Sequence, residues 1–385
     1  MSDYIVITPF FPSKESFRGS YIFDQVNAIQ SNSNYKLTVV ILCSIFDKSY
    51  GNYHIDGING KTFRIIDFPS FILPGFFNIL NKFRFNIFLK KQDIKPNYES
   101  IVHGHINYPS LDFLIYFSRK YKCKTILQHH GLDILQSQTG SDIPLLKKIQ
   151  NKFILRRFIN LSSKVSIHIA VSSIVKLEIL KINPLLKNRI YVCINGVDTS
   201  KFYILSNNNK ENKRFVIGCV ANFWVLKDQI TLLKAINILK KQGLKNIHVK
   251  FVGDGKTKKH CIAYAKTHRL DCEFINELEH DKLLYFYNNL NVFVLPSFYE
   301  AFGCVYLEAL ACGVPFIGVK KQGIEDVIPA DYKPLQLISR ESPEELSKLI
   351  LYFYSNKTEI RFDEEYTIEN TVAKMLNLLK QQDLC

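Results

Sequence analysis

The chain has 385 residues, of which 47% are hydrophobic and 22% charged, and its formal net charge is +15. This length is too great for one ordinary hydrophobic core, so two domains are expected, and no apolar run reaches the roughly 18 residues of a membrane-spanning helix. No basic segment follows Met1, which predicts the absence of a signal peptide. Nine cysteines without a Cys-x-x-Cys pair indicate reduced thiols in a cytoplasmic protein and disfavour a disulfide framework or a zinc site.

The positive charge is concentrated in the first half of the chain. Residues 1–200 hold 25 Lys and Arg and 13 Asp and Glu (25 − 13 = +12), and residues 201–385 hold 25 and 22 (25 − 22 = +3). A basic half suggests an anionic partner such as nucleic acid, a membrane surface or a phosphorylated substrate. No segment resembles a nucleic-acid-binding module, so a membrane surface or a diphosphate-linked acceptor is favoured.

The first half of the chain alternates strand and helix patterns. A strand at 4–8 precedes a loop that ends at Gly19, after which Ser20 is predicted to cap a helix. A strand at 36–43 and a hairpin between 53 and 68 follow. The segment 71–91 is apolar, aromatic and basic; a membrane-surface helix and a helix packed on its own domain remain equal alternatives.

Two further strands end at histidines. Residues 101–105 end in His-Gly-His, and the strand 124–128 continues into His129 and His130. A helix at 145–161 carries five Lys and Arg residues on an apolar frame, and a strand at 190–194 leads to Asn-Gly-Val-Asp. The polar run 206–213 is predicted to be a linker.

A second strand–helix series begins at residue 215. Its organising stretch starts after an apolar strand at 292–295, where Phe302, Gly303 and Cys304 open a helix that ends at Gly313. The backbone N–H groups at that helix start form a predicted anion site. Glu300 and Glu308 flank this anion site. Two acceptors around a phosphate cradle suit a nucleotide sugar, which has hydroxyls at both ends and phosphate between.

The letters EAFG at 300–303 and EALACGVP at 308–315 resemble the donor-site motif of the retaining glycosyltransferases of family 4. The resemblance covers nearly the whole chain and implies the α/β GT-B fold, with two Rossmann-like domains that face each other across a cleft. It implies an acceptor-binding domain over 1–200 and a donor-binding domain over 205–365. Residues 366–385 are expected to form a helix that returns to the first domain.

The resemblance also implies roles for individual residues. Glu308 is expected to bind the ribose and Glu300 the transferred sugar, while Lys227 stabilises the diphosphate. Asn222 stands where the family usually has an Arg, so Arg18 or a Lys elsewhere is a candidate replacement.

In the first domain, the resemblance places His130 against the transferred sugar and Gly19 at the donor diphosphate. A plain surface loop is the alternative at Gly19, and His129 is expected to be structural.

The implied reaction retains the anomeric configuration and uses a UDP- or GDP-sugar. No Asp-x-Asp motif is present, so no metal or other cofactor is expected. The acceptor is expected to be a glycan or a polyprenyl-diphosphate-linked glycan, in cell-surface polysaccharide assembly at the cytoplasmic face of the membrane. Two other classes remain open, which are a sugar-nucleotide epimerase and a non-catalytic scaffold subunit of the same fold.

Overall fold

The computed structural model describes residues 2–12, 19–47, 53–55, 57–68, 73–131, 145–206, 214–356, 358 and 360–382. The chain divides into two compact units. The first contains Met1–Asn195 together with Ile368–Cys385, and the second contains Gly196–Thr367. Arg18 and most of the predicted linker at 206–213 lie outside the described residues.

The first unit is built on an eight-stranded sheet with the order β3-β4-β2-β1-β5-β6-β7-β8. Every neighbouring pair is parallel except β3 and β4, which pair antiparallel with Ile55 opposite Ile58 and so confirm the hairpin. The strands are β1 (Asp3–Thr8), β2 (Lys36–Ser44), β3 (Tyr53–Ile55), β4 (Ile58–Ile65), β5 (Ile101–His105), β6 (Lys124–His129), β7 (Ile167–Ala170) and β8 (Ile190–Val192).

In the described part of this unit, six α-helices accompany the sheet. They are α1 (Ser20–Ser31), α2 (Asn78–Lys91), α3 (Asn107–Tyr121), α4 (Leu145–Leu161), α5 (Ser173–Ile182) and, from the end of the chain, α12 (Ile368–Gln381). The last helix belongs to this unit because Val372, Met375 and Leu379, at helical spacing, are buried in its core with residues of α1 and β1. Its Met375 sulfur also accepts a hydrogen bond from Gln25, at 3.4 Å.

The predicted cap of α1 is wrong. The helix begins at Ser20 itself, and Gly19 occupies the N-cap position with a φ of 92° and no side-chain cap bond. A Cβ atom at Gly19 would lie 2.8 Å from the backbone of Phe10, so the chain needs glycine where a cap residue would stand. Ser20 is therefore already helical and its hydroxyl cannot serve as the N-cap acceptor.

The second unit contains an all-parallel six-stranded sheet with the order β11-β10-β9-β12-β13-β14. Its strands are β9 (Phe215–Val220), β10 (Ile247–Val252), β11 (Cys272–Ile275), β12 (Val292–Val294), β13 (Phe316–Val319) and β14 (Leu337–Ile338). Its helices are α6 (Gln229–Lys241), α7 (Lys258–Thr267), α8 (His280–Asn288), α9 (Cys304–Ala311), α10 (Lys333–Gln336) and α11 (Pro343–Ser355).

The strand order confirms the predicted class, in which two parallel-sheet α/β units are Rossmann-like. In the second unit the order reverses between β9 and β12, which are direct neighbours. In the first unit it reverses between β1 and β5. Loops that leave the carboxyl ends of strands at such a reversal diverge and leave a crevice where ligands bind. A ligand site in the second unit is therefore expected at the loops after β9 and β12.

Candidate functional site

The loops after β9 and β12 bring Lys227 and Glu300 into contact. Lys227 ends a single 3-10 turn, Val225–Lys227, and its ammonium nitrogen lies 2.5 Å from Oε1 of Glu300. The Glu300 side chain is 11% exposed and that of Lys227 is 27% exposed, so the ion pair is shielded on the carboxylate side and reachable from the lysine side. The pair thus presents a cation beside a carboxylate at the reversal of the strand order.

A glycine turn supports the loop that carries Lys227. Gly255 has a φ of 147°, and a Cβ atom there would lie 2.5 Å from the carbonyl oxygen of Phe223. The Phe223 amide donates to the carbonyl of Asp254 at 2.8 Å, which joins the Gly-Asp-Gly turn to the loop. This close backbone packing requires glycine and explains the Gly-Asp-Gly letters after β10.

Asn222 lies in the same loop but does not reach the ion pair through any described contact. It is exposed, and its backbone carbonyl accepts a hydrogen bond from the Gln229 side chain at 3.1 Å. Its role as a substrate-binding residue therefore stays a prediction.

The helix start after Glu300 has the predicted form. Gly303 is the N-cap of α9 with a φ of 82°, and a Cβ atom there would lie 2.7 Å from the ring of Tyr306. Phe302 is 2% exposed and anchors the turn, whereas Gly303 and Cys304 are partly exposed. The predicted anion site at this helix start therefore directly follows the Glu300 carboxylate in the chain.

Glu308 lies one turn into α9 and is held by a tyrosine. Its Oε2 accepts a hydrogen bond from the Tyr287 hydroxyl at 2.7 Å. Burial, and then the charge of Glu308, raise the pKa of Tyr287 well above its usual value, so the hydroxyl is protonated and donates. Glu308 itself is only half-buried, which leaves part of the carboxylate accessible.

Two predicted residues belong to the first unit. His130 follows β6, and its Nε2 lies 3.0 Å from Nδ1 of His105, at the end of the neighbouring strand β5. The ring of Tyr21, two residues after Gly19, lies 4.8 Å from the His130 ring. Gly19 and His130 therefore share one edge of this sheet, but a contact of His130 with a sugar stays a prediction.

His129 lies in the core of the first unit, as predicted for a structural residue. It is fully buried, and its Nε2 lies 3.0 Å from Nδ1 of His168, whose Nε2 bonds the carbonyl of Ser162. Burial, and after it the neighbouring His129, lower the pKa of His168 to about 3. The low pKa keeps the His168 ring neutral in the core.

Sequence reasoning missed two polar residues that hold the site. Tyr287 gave no signal because its hydroxyl reaches Glu308 only through the packing of α8 against α9. Gln322, after β13, bonds both Phe298 and Glu300, and a single glutamine after a strand carries no sequence signature.

Two features are absent from the described part of the chain. No group of three His, Cys, Asp or Glu side chains is placed to hold a metal ion in the residues that the structure describes. Within those same residues, no helix is both long enough and apolar enough to cross a membrane.

Comparison with known proteins identifies the family. A family model described as glycosyl transferases group 1 matches residues 201–371, and one described as glycosyltransferase family 4 matches residues 21–201. The two matches together run from residue 21 to residue 371. The chain therefore belongs to the group 1, family 4 glycosyltransferases, as its motifs indicated.

Individual relatives are distant. An uncharacterized glycosyltransferase of Methanocaldococcus jannaschii is 26% identical over 258 residues, which cover 67% of this chain and 66% of that protein. The capsular polysaccharide biosynthesis glycosyltransferase CapM of Staphylococcus aureus is 29% identical over 177 residues, which cover 42% of this chain and 45% of CapM. The chain thus spans less than two thirds of the length of these curated relatives.

A solved structure shares the fold. HepE of Anabaena, in complex with UDP and glucose, superimposes with a TM-score of 0.72 at 13% identity, over 98% of this chain and all of that one. At this identity the likeness shows that the fold is that of a GT-B glycosyltransferase.

Proposed function

We propose that this protein transfers a sugar from a UDP- or GDP-sugar to a glycan or a polyprenyl-diphosphate-linked glycan, with retention of the anomeric configuration. The observation that carries the proposal is the 2.5 Å contact between Lys227 and Glu300 at the reversal of strand order. It places one cation and one carboxylate directly before a helix start. HepE, of the same fold, is described in complex with UDP and glucose, which supports a nucleotide-sugar donor.

The roles follow from the charges in this site. Transfer breaks the bond between the anomeric carbon and a diphosphate oxygen, and it forms a bond from that carbon to the acceptor oxygen. Negative charge develops on the diphosphate, which Lys227 and the amides at the start of α9 stabilise. The acceptor proton passes to a diphosphate oxygen on the same face. Glu300 binds hydroxyls of the transferred sugar, and Glu308 those of the ribose.

A transfer assay tests this proposal. The full chain is incubated with a panel of labelled sugar nucleotides and lipid-linked acceptors, and the products are separated. Lys227→Met is expected to lower turnover about 10²- to 10³-fold, the usual cost of removing one preorganised electrostatic group. Arg214→Met is the matched control, because it also breaks a Lys/Arg–carboxylate pair, with Asp271 at 3.2 Å, on an exposed surface of the same unit.

The outcomes separate the proposal from its alternatives. Acceptor-linked product from the unmodified chain, lost in Lys227→Met and kept in Arg214→Met, supports a transferase. An epimerised sugar with no acceptor-linked product indicates an epimerase. Nucleotide binding without any turnover indicates a scaffold, a reading that Asn222 in the usual Arg position favours.

We further propose that the first unit docks on an anionic membrane surface. Helix α2 exposes Ile79, Phe83 and Ile87, spaced four residues apart, with exposures of 89%, 64% and 40%. Phe76, just before the helix, is 67% exposed and extends this stripe. The helix ends in Lys90 and Lys91, and an apolar stripe beside basic residues suits the boundary between headgroups and acyl chains.

Helix α4 can offer fewer exposed cations to an anionic surface than its sequence implies. Lys148, Lys152 and Arg156 are exposed. Arg157, however, pairs with the buried Asp112 and packs on Gly75, so it is a structural residue of the first unit. Juxtamembrane cations contribute about 1 kcal/mol each near an anionic surface, so the apolar stripe and the remaining cations are both needed.

Liposome flotation tests the docking proposal. The chain is expected to float with anionic liposomes at low salt and to float less at high salt, because exposed charges are screened beyond about 10 Å at 0.1 M. Ile79→Ser with Phe83→Ser should reduce flotation, while Leu185→Ser, at an equally exposed apolar site of the same unit, should not. Equal failure with anionic and neutral liposomes would refute the proposal.

A further inference from the structure

Gln322 lies beneath the loop that carries Glu300. It follows β13 in a tight turn in which Lys321 has a φ of 61°, and only 4% of Gln322 is exposed. Its Oε1 accepts a hydrogen bond from the Glu300 amide at 2.5 Å, and its Nε2 donates to the carbonyl of Phe298 at 2.9 Å. One side-chain amide therefore holds both ends of the three-residue segment 298–300, as a neighbouring peptide group would in a sheet.

The same segment is bonded to the turn of Lys227. The Phe298 amide donates to the carbonyl of Leu226 at 2.8 Å, and Leu226 immediately precedes Lys227. The carbonyl of Glu300 accepts a hydrogen bond from the Gly323 amide at 3.1 Å. Residues 322 and 323 thus fix the backbone on the Glu300 side of the ion pair, and the Phe298 amide links this backbone to the turn of Lys227.

There is little room for this arrangement to shift. A Cβ atom on Gly323 would lie 1.8 Å from the carbonyl oxygen of Ala301, so the turn after β13 sits directly against the loop after β12. These two strands are neighbours, with Phe293 opposite Phe316. The buried side chain of Gln322 therefore connects the loops that follow the neighbouring strands β12 and β13.

We propose that Gln322 is a positioning residue, which holds the backbone of Glu300 so that its carboxylate meets Lys227 and the transferred sugar. The inference rests on the proposed function, because it assigns to Gln322 an effect exerted through Glu300. Gln322 itself contacts neither the nucleotide nor the sugar in this scheme. Its loss should therefore lower turnover and leave nucleotide affinity nearly unchanged.

Two control positions isolate the effect of the Glu300 bond. Arg340 also donates to the carbonyl of Phe298, but it is exposed and makes no described bond to Glu300. Gln336 is as deeply buried as Gln322, at 1% exposure, and lies in α10 of the same unit. Arg340→Met removes a contact to the loop without touching the Glu300 amide, and Gln336→Met removes a buried amide elsewhere.

Kinetics give the first measurement. Gln322→Met is expected to lower turnover at least about tenfold, with nucleotide affinity changed less than about threefold, and the two controls should stay within about twofold of the unmodified chain. Affinity can be followed by the fluorescence of Trp224, the only tryptophan, three residues before Lys227. In a Glu300→Ala background, Gln322→Met should cause no further loss, because the residue through which it acts has been removed.

Hydrogen exchange of the full chain gives a second measurement, which does not depend on activity. Gln322→Met should speed exchange in peptides that cover residues 297–303, and Gln336→Met should not. Unchanged exchange in these peptides would overturn the inference whatever the activity. The inference would also be overturned if Gln322→Met lowered turnover in the Glu300→Ala background as much as it does in the unmodified chain. Faster exchange together with no transfer by the unmodified chain would instead leave the positioning intact and refute the proposed function.

Discussion

Replacement of Glu308 by alanine should lower both the affinity for nucleotide and the stability of the second unit. The carboxylate is predicted to bind the ribose, and its Oε2 also accepts the hydrogen bond of the Tyr287 hydroxyl at 2.7 Å. Tyr287 is completely buried in α8. Alanine at position 308 therefore removes the predicted ligand contact and takes the carboxylate acceptor away from the buried Tyr287 hydroxyl.

The two losses have different magnitudes. A charge-assisted hydrogen bond to the ribose is worth roughly 1.5–3 kcal/mol, and about 1.4 kcal/mol corresponds to a factor of ten, so nucleotide affinity should fall about 10- to 100-fold. The unsatisfied Tyr287 hydroxyl should cost about 1–3 kcal/mol of stability. For a unit of this size, each kcal/mol lowers the melting temperature by roughly 2–4 °C.

Two further variants separate these effects. Glu308→Gln keeps an acceptor oxygen for Tyr287, so it should melt near the unmodified protein and still bind nucleotide more weakly. Tyr287→Phe keeps the half-exposed carboxylate, which water can solvate, so it should retain most of its nucleotide affinity. Calorimetry with UDP and with GDP measures affinity, and thermal unfolding measures stability. Unchanged affinity in Glu308→Ala would refute the ribose role.

Two other perturbations test the chemistry and the core. Transfer activity should survive excess EDTA, because Lys227 and the start of α9 are proposed to neutralise the diphosphate; complete loss restored by Mg²⁺ or Mn²⁺ would contradict this. Burial lowers the pKa of His103 and of His168 to about 3, whereas the unfolded chain binds these protons near pH 6.5. Below pH 6.5 the unfolded state thus binds more protons than the folded state. The free energy of unfolding should therefore fall by about 1.4 kcal/mol for each ring and each pH unit below 6.5. Thermal unfolding at pH 7.5 and 5.5 measures this loss, and equal melting temperatures would argue against buried neutral rings.

The spacing of apolar residues and the positions of glycine and proline predicted alternating strands and helices, and the family resemblance implied the GT-B fold. Apolar runs marked β12 and β13, and Gly313 ended α9 with a φ of 71°. The amide of Val314 then bonds the carbonyl of Ala309 at 2.9 Å, as expected of a glycine C-cap. Such signals are local, because each depends on backbone preferences within a few residues. The helix over 366–385 was expected from the family resemblance, and α12 spans Ile368–Gln381.

Candidate residues could also be read from motifs, since Lys227, Glu300 and Glu308 stand in a recognisable order. The distances between these residues could not be predicted from motifs. Lys227 and Glu300 are separated by 73 positions, and their 2.5 Å contact arises only because β9 and β12 are adjacent where the strand order reverses. Pairing between strands distant in sequence is decided by the packing of the whole sheet.

The sequence by itself determined the alternation of strands and helices and the residue types at the donor motif, because these follow from local periodicity and from side-chain chemistry. The family followed from the resemblance of that motif to a known one. Only the tertiary structure decided that Gly19 caps α1 and that Arg157 is bound to Asp112. It alone also decided that Gln322 bonds the backbone of Glu300 and that Tyr287 bonds the carboxylate of Glu308. Each of these depends on a hydrogen bond, an ion pair or a close approach between different segments of the chain. Such contacts form only when the sheet is assembled, so no local pattern encodes them.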